Sequence, residues 1–162
     1  MNTKTPMTSK GHRRLQEELQ RLKTIERPRA VKAIEVARAH GDLSENAEYD
    51  AAKDAQGLLE ARIRDIEAKL STAQVVEIAN LSGAKVIFGA TVCVSDIATG
   101  EERTVTIVGE DEANPGRGLI SYSSPFARAL IGKNLNDTAK VRLPNGEREY
   151  EILEVRFDEP EI

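Results

Sequence analysis

A chain of 162 residues that is 40% hydrophobic and 31% charged has the make-up of a water-soluble globular protein, with length for one ordinary domain or two small ones. No apolar run approaches the length of a bilayer span, and the start Met1-Asn2-Thr3-Lys4-Thr5-Pro6 lacks the apolar core of a secretory signal, so the sequence predicts a cytoplasmic protein with no membrane partner. The net charge of −4 divides into +1 over residues 1–80 and −5 over residues 81–162, which excludes a general polyanion binder and leaves room only for local contact with nucleic acid.

Residues 1–6 are expected to form a flexible extension, and residues 7–80 a helical hairpin. Thr8 or Ser9 can cap a first helix, along which Leu15, Leu19, Leu22 and Ile25 recur at steps of four, three and three. Leu59, Ile63, Ile66 and Leu70 recur at steps of four, three and four on the return. Such stripes suit a two-helix seam. Leu15 with Leu70, Leu19 with Ile66 and Leu22 with Ile63 all have position numbers summing to 85, which sets the point of reversal between Asp42 and Leu43. Each arm then holds about 28 residues, or about 40 Å of helix at about 1.5 Å per residue. Pro28 removes one ladder bond from the first arm and predicts a bend there. Towards the reversal the seam residues shrink to Ala30, Ala33, Ala37, Ala52 and Ala55, which keeps the far end slender.

The reversal itself is the polar run Gly41-Asp42-Leu43-Ser44-Glu45-Asn46. Gly41 can end the first arm in a left-handed conformation, while Ser44 and Asn46 offer acceptors to the free amides that open the second. On local spacing alone, Glu45 and Glu48 are read first as negative charges at the positive end of a helix dipole. His40 beside Gly41 is read as complementing a helix C-terminus, and His12 as an exposed helix residue.

From about Val75 the periodicity changes to two, and residues 81–162 read as a separate small α+β domain, with the junction near Asn80-Leu81-Ser82-Gly83. The stretches 86–88, 90–97, 102–108, 118–121, 138–143 and 149–157 are predicted strands, with turns at Thr99-Gly100, Asn114-Pro115-Gly116 and Pro144-Asn145-Gly146. Between them, Ser124-Pro125-Phe126-Ala127-Arg128-Ala129-Leu130-Ile131 predicts a short helix with Ser124 as its cap and Pro125 in its first position. The single cysteine, Cys93, rules out an intramolecular disulfide and reads as a buried strand thiol with no functional role.

Taken together, the run from Ala37 to Tyr49 (Ala-Arg-Ala-His-Gly-Asp-Leu-Ser-Glu-Asn-Ala-Glu-Tyr), the return arm ending Ile66-Glu67-Ala68-Lys69-Leu70, and Ser124-Pro125-Phe126-Ala127-Arg128-Ala129-Leu130-Ile131-Gly132-Lys133 resemble the bacterial GreA/GreB transcript cleavage factors, colinearly from about Met7 to Phe157. The resemblance implies an antiparallel coiled coil that enters the secondary channel of RNA polymerase, and an FKBP-like second domain that docks at the channel rim. It also implies an activity. When polymerase has backtracked, such a factor stimulates the polymerase's own cleavage of the extruded nascent RNA 3′ end, without being an enzyme itself and without a small-molecule substrate.

Carried over to this sequence, the resemblance marks Asp42 and Glu45 as the carboxylates that help hold Mg²⁺ and orient the attacking water, with Ser44 as a hydrogen-bonding contributor near the scissile phosphate. Two carboxylates hold Mg²⁺ poorly alone, because that ion keeps its waters and needs further ligands, so the metal is expected to be shared with polymerase. Arg38 and Lys53 fall in the region that contacts extruded RNA, although each also reads as an ordinary surface charge. Asp50 and Asp54 interrupt that basic patch, which favours short RNA over long tails. Ser123, Ser124 and Pro125 occupy the loop expected to engage the polymerase rim, and Ser124 serves as a helix cap on either reading. An FKBP-like fold invites prolyl isomerisation, but three Phe, three Tyr and no Trp are too few for an aromatic-lined pocket. The alternative from another class is a channel inhibitor that does not stimulate cleavage, and a generic coiled-coil adaptor would leave the acidic run without a task.

Overall fold

The computed structural model describes residues 4–41 and 46–162. Strand β1 (Thr5–Thr8) leads into α1 (Ser9–Arg21), a π-helical turn at Leu22–Glu26, α2 (Arg27–Arg38) and α3 (Ala47–Ser71). Then come β2 (Ala73–Val76), β3 (Thr91–Asp96), β4 (Glu102–Val108), β5 (Leu119–Ser121), α4 (Pro125–Leu130), β6 (Thr138–Leu143) and β7 (Gly146–Arg156). The chain divides into two compact units, one spanning Arg13–Ala73 and the other combining Lys4–His12 with Gln74–Ile162. No helix among the described residues is long and apolar enough to cross a membrane.

In the first unit the two helical stretches pack side by side and run in opposite directions. Leu15, Leu22, Ile63 and Ile66 are buried, while Leu19, Leu59 and Leu70 are half-buried. Forked pairs link the two stretches: Arg62 donates from Nε and Nη2 to both carboxylate oxygens of Glu18 at 2.9 Å, and Arg27 does the same to Glu60 at 2.8 Å. Two parallel N–H···O bonds fix orientation as well as distance. The hydrogen bond from Arg27 holds the Glu60 carboxyl below its ordinary pKa.

Pro28 does not act as a simple bend. It lacks an N–H, so the carbonyl of Thr24 has no α-helical donor, and its ring would crowd that carbonyl in a tight turn. The chain answers with the wider π turn, in which the Arg27 N–H donates to the carbonyl of Leu22, five residues back. The backbone stays right-handed helical throughout, at φ −60°, ψ −44° for Arg21 and φ −63°, ψ −49° for Arg27. The extra residue moves the apolar phase, so Ile25 is 49% exposed although the stripe predicts it at the seam. Beyond the turn Ala37 is buried, Ala30 and Ala52 are half-buried, and Ala33 and Ala55 face solvent.

At residues 5 and 6 the leading segment differs from the expected loose extension: Thr5 and Pro6 are strand residues, and β1 pairs with β2 in a small two-stranded sheet, while residues 1–3 of that extension lie outside the described residues. The anchor is a buried carboxylate. Glu112, 5% exposed, accepts hydrogen bonds from the Thr8 N–H (2.9 Å), the Thr8 hydroxyl and the Gly109 N–H (3.2 Å). The same Thr8 hydroxyl accepts from the Gly11 N–H at 3.1 Å, which makes Thr8 the cap of α1. Gly11 must be glycine here, because a Cβ would stand 2.5 Å from the Glu112 Cδ. The junction also differs: residues 7–12 and 74–80, expected with the hairpin, belong to the unit that contains the large sheet.

That sheet has the order β5-β4-β3-β7-β6, antiparallel except for the parallel β4–β5 pair. Alternate residues Val92, Val94, Val105, Ile107, Ala139, Val141, Tyr150 and Ile152 fill one face, and α4 covers them with Phe126, Ala127 and Leu130. Phe126 meets Tyr150 edge-on at 5.2 Å. A register shift at Cys93/Val94 leaves Leu153 unpaired on β7, and Cys93 is half-buried rather than buried. The predicted strand at 86–88 is absent: Val86 is fully buried, but its N–H and carbonyl bond Lys133 and Gly132 across a loop.

Asp96 closes the β3–β4 turn. Its carboxylate accepts from the Ala98 and Thr99 amides and pairs with Arg148 at 2.9 Å. Burial pushes its pKa up, but the Arg148 hydrogen bond and the two amides outweigh this, so Asp96 titrates below its ordinary value. A depressed folded pKa gives stabilisation that is complete above the unfolded value of about 3.9 and is lost as pH falls through the folded value. Asp96→Asn is therefore expected to flatten the acid limb of stability below about pH 4. Urea midpoints of the two proteins across that range check this, and parallel curves would rule it out.

Candidate functional site

Two helix ends frame the acidic run. The helix α2 stops at Arg38, and Gly41 adopts φ +92°, a left-handed value that costs glycine nothing. Asn46 opens α3 from an extended conformation (φ −85°, ψ 93°), and its side-chain oxygen accepts from the Tyr49 N–H at 3.0 Å. Of the two acceptors expected to open the second arm, Asn46 is the one seen to do so. Its amide nitrogen also donates to the carbonyl of Ala37 at 2.7 Å, across to the end of α2.

Two further pairs cross at the same level. The Arg38 guanidinium lies 5.9 Å from the centre of the Tyr49 ring, and His40 Nε2 lies 3.2 Å from a Glu48 carboxylate oxygen. His40 thus has a cross-arm partner in addition to its place at a helix end. Glu48 and Asp50 stand in the first turn of α3, where negative charge suits the helix dipole. Lys53, Asp50 and Asp54 are exposed.

Asp42, Ser44 and Glu45, the residues to which the resemblance assigns the chemistry, lie outside the described residues. Among the described residues, no group of three or more His, Cys, Asp or Glu could hold a metal ion. Between the facing ends of α2 and α3 lies a shallow hollow of about 490 Å³, lined by Arg29, Lys32, Val36, Ala37, Glu48 and Ala52. Arg29 and Lys32 add basic charge on the flank. The run Arg27-Pro28-Arg29-Ala30-Val31-Lys32 carried that signal in sequence.

In the second unit, Ser124 caps α4 by accepting from the Ala127 N–H at 3.3 Å, and Pro125 occupies the first turn. The Ser123 hydroxyl donates to Glu110 at 3.0 Å and shares a 2.8 Å bond with the Ser121 hydroxyl. The Ser123-Ser124-Pro125 corner is held by its own hydrogen bonds, while Pro125 is exposed.

Comparison with known proteins gives these arrangements a family. The model described as transcription elongation factor, N-terminal, matches residues 5–75, and that described as transcription elongation factor, GreA/GreB, C-term, matches residues 81–157. The transcription elongation factor GreA of Methylococcus capsulatus is 57% identical over 155 residues, covering 95% of this chain and 98% of that protein. The GreA of Alkalilimnicola ehrlichii is 57% identical over 156 residues, covering 96% and 99%. Among solved structures, GreA factor homolog 1 (Gfh1) of Thermus thermophilus shares 29% identity over 94% of this chain and 99% of its own, at a TM-score of 0.44. With both halves matched in order and identity this high over nearly the full length, the chain belongs to the GreA/GreB family of transcription elongation factors.

Proposed function

We propose that this chain is an elongation factor that places its antiparallel helical pair, as a coiled coil, in the secondary channel of bacterial RNA polymerase and stimulates the polymerase's intrinsic cleavage of backtracked nascent RNA. The observation that carries the reading is the intact Asp42-Leu43-Ser44-Glu45-Asn46 run between the arms of a chain that matches the family along its length. The second unit, read as FKBP-like, docks at the channel rim through Ser123, Ser124 and Pro125. The factor is not itself the enzyme.

Hydrolysis of a phosphodiester needs a water held in line with the leaving oxygen and a group to accept its proton. Asp42 and Glu45 orient that water by hydrogen bonding, and a carboxylate takes its proton. Asp42 and Glu45 would hold Mg²⁺ jointly with polymerase, and the ion when bound would supply a lowered pKa for coordinated water and positive charge beside the phosphate. Ser44 donates a hydrogen bond beside the scissile phosphate. Arg38 and Lys53 attract the phosphates of the extruded strand, a local and salt-sensitive contribution.

The test is a cleavage assay on stalled, backtracked complexes of cognate polymerase. Faster release of 3′ fragments is the expected outcome. Inhibition at all factor concentrations would identify a channel inhibitor instead, and RNA hydrolysis by the factor alone would refute the shared-metal mechanism.

A further inference from the structure

We infer that Asn46 is a positioning residue: through one side-chain amide it ties the end of α2 to the start of α3 and so fixes both ends of the segment that carries Asp42 and Glu45. The inference rests on the proposed role of those two carboxylates in cleavage.

The orientation of the amide is fixed by its partners. The Tyr49 N–H is a donor and must face Oδ1, at 3.0 Å; the Ala37 carbonyl is an acceptor and must face Nδ2, at 2.7 Å. The Asn46 carbonyl accepts from the Asp50 N–H at 3.2 Å, which seats the same residue in the first turn of α3. On the opposite side Ala37 is buried, 3% exposed, so the carbonyl that Asn46 reaches belongs to a packed residue. One hydrogen bond therefore joins the last turn of α2 to the residue that opens α3.

Capping alone does not explain the choice of residue. Ser and Asp cap a helix about as well as Asn. Only Asn presents an acceptor to Tyr49 and a donor to Ala37 within one short planar group. Asp in its place would set a carboxylate oxygen against the Ala37 carbonyl, and Ser would be too short to reach it. Misplacing reacting groups by about 1 Å costs up to about a hundredfold in rate, so a loosened closure should appear in the chemical step and not in docking.

The experiment compares wild type, Asn46→Ser and Asn46→Asp in transcript cleavage at saturating factor, with Mg²⁺ varied and polymerase affinity measured by competition. Asn46→Ser and Asn46→Asp are both expected to keep wild-type affinity while cleaving about ten- to a hundredfold more slowly and needing more Mg²⁺ for half-maximal rate. A wild-type maximal rate and Mg²⁺ requirement in Asn46→Ser overturns the inference, as does a loss confined to affinity. The closure has its own readout in the free protein: side-chain amide protons of Asn46 should exchange with solvent more slowly than those of exposed Asn145, and equal exchange rejects it. An Asp42→Asn, Glu45→Gln control keeps the two claims apart. Full cleavage by the control refutes the carboxylate chemistry, whereas an inactive control beside a fully active Asn46→Ser refutes the positioning role alone.

Discussion

Replacing Asp42 with Asn and Glu45 with Gln together is expected to lower stimulated cleavage by about a thousandfold while the factor still competes for polymerase. The size follows from what the carboxylates supply. Each amide keeps the shape of the side chain but removes a negative oxygen, and so removes both a hard ligand for Mg²⁺ and an acceptor for the proton of the attacking water. Loss of several kcal/mol of transition-state stabilisation corresponds to about three orders of magnitude in rate. Binding should survive, because neither substitution touches the buried seam of Leu15, Leu22, Ile63 and Ile66. The two measurements are single-round cleavage of a backtracked complex and displacement of labelled wild-type factor. A double variant that cleaves within about threefold of wild type would remove these carboxylates from the chemistry, since one tenfold step is only about 1.4 kcal/mol.

The second large effect concerns stability. Glu112→Ala is expected to lower the unfolding free energy by about 3 kcal/mol, because it leaves the buried amides of Thr8 and Gly109 without acceptors at about 1–3 kcal/mol each. For a chain of this size that is a fall of about 10 °C in melting temperature. Gly11→Ala should act in the same direction by a different route, since its methyl group would lie 2.5–2.8 Å from three atoms of the Glu112 side chain. Hydrogen exchange adds a local check: the Thr8 and Gly11 amides should lose protection in Glu112→Ala, while the Ile66 amide should not. An unchanged melting temperature with unchanged exchange at Thr8 would mean that β1 is held in place without the carboxylate.

What was legible in the sequence follows from how far apart the cooperating residues lie. The helical stripes were readable because Leu15 and Leu22, or Ile63 and Ile66, announce themselves within one or two turns. The Ser124 cap with Pro125 behind it was readable for the same reason, as was the alternation that became β3, β4, β6 and β7. The β1–β2 pair was not. Thr5-Pro6-Met7-Thr8 has no alternation, and its partner strand lies more than sixty residues away. Its anchor, Glu112, stands in an acidic Glu-Asp-Glu run that reads as surface. At the candidate site the capping half of Asn46 was visible, since a cap is judged from its own helix. Its bond to Ala37 was invisible until the two arms were side by side. The Arg38–Tyr49 and His40–Glu48 pairs escaped for that reason too.

The π turn before Pro28 bears on how the arm tolerates changes in length. In a regular α-helix, deleting one residue turns everything beyond it by about 100° about the axis, which would carry Ala37 off its buried face and displace the end of α2 that Asn46 grips. A π turn already holds one residue more than an α turn needs. Removing Thr24, together with Pro28→Ala to restore the missing donor, would convert Leu22–Glu26 to ordinary helix and leave the faces on either side in their present alignment. The same deletion at Lys32 has no such slack to draw on. The π turn between α1 and α2 is therefore a place midway along the arm where one residue can be removed while α2 keeps its present facing.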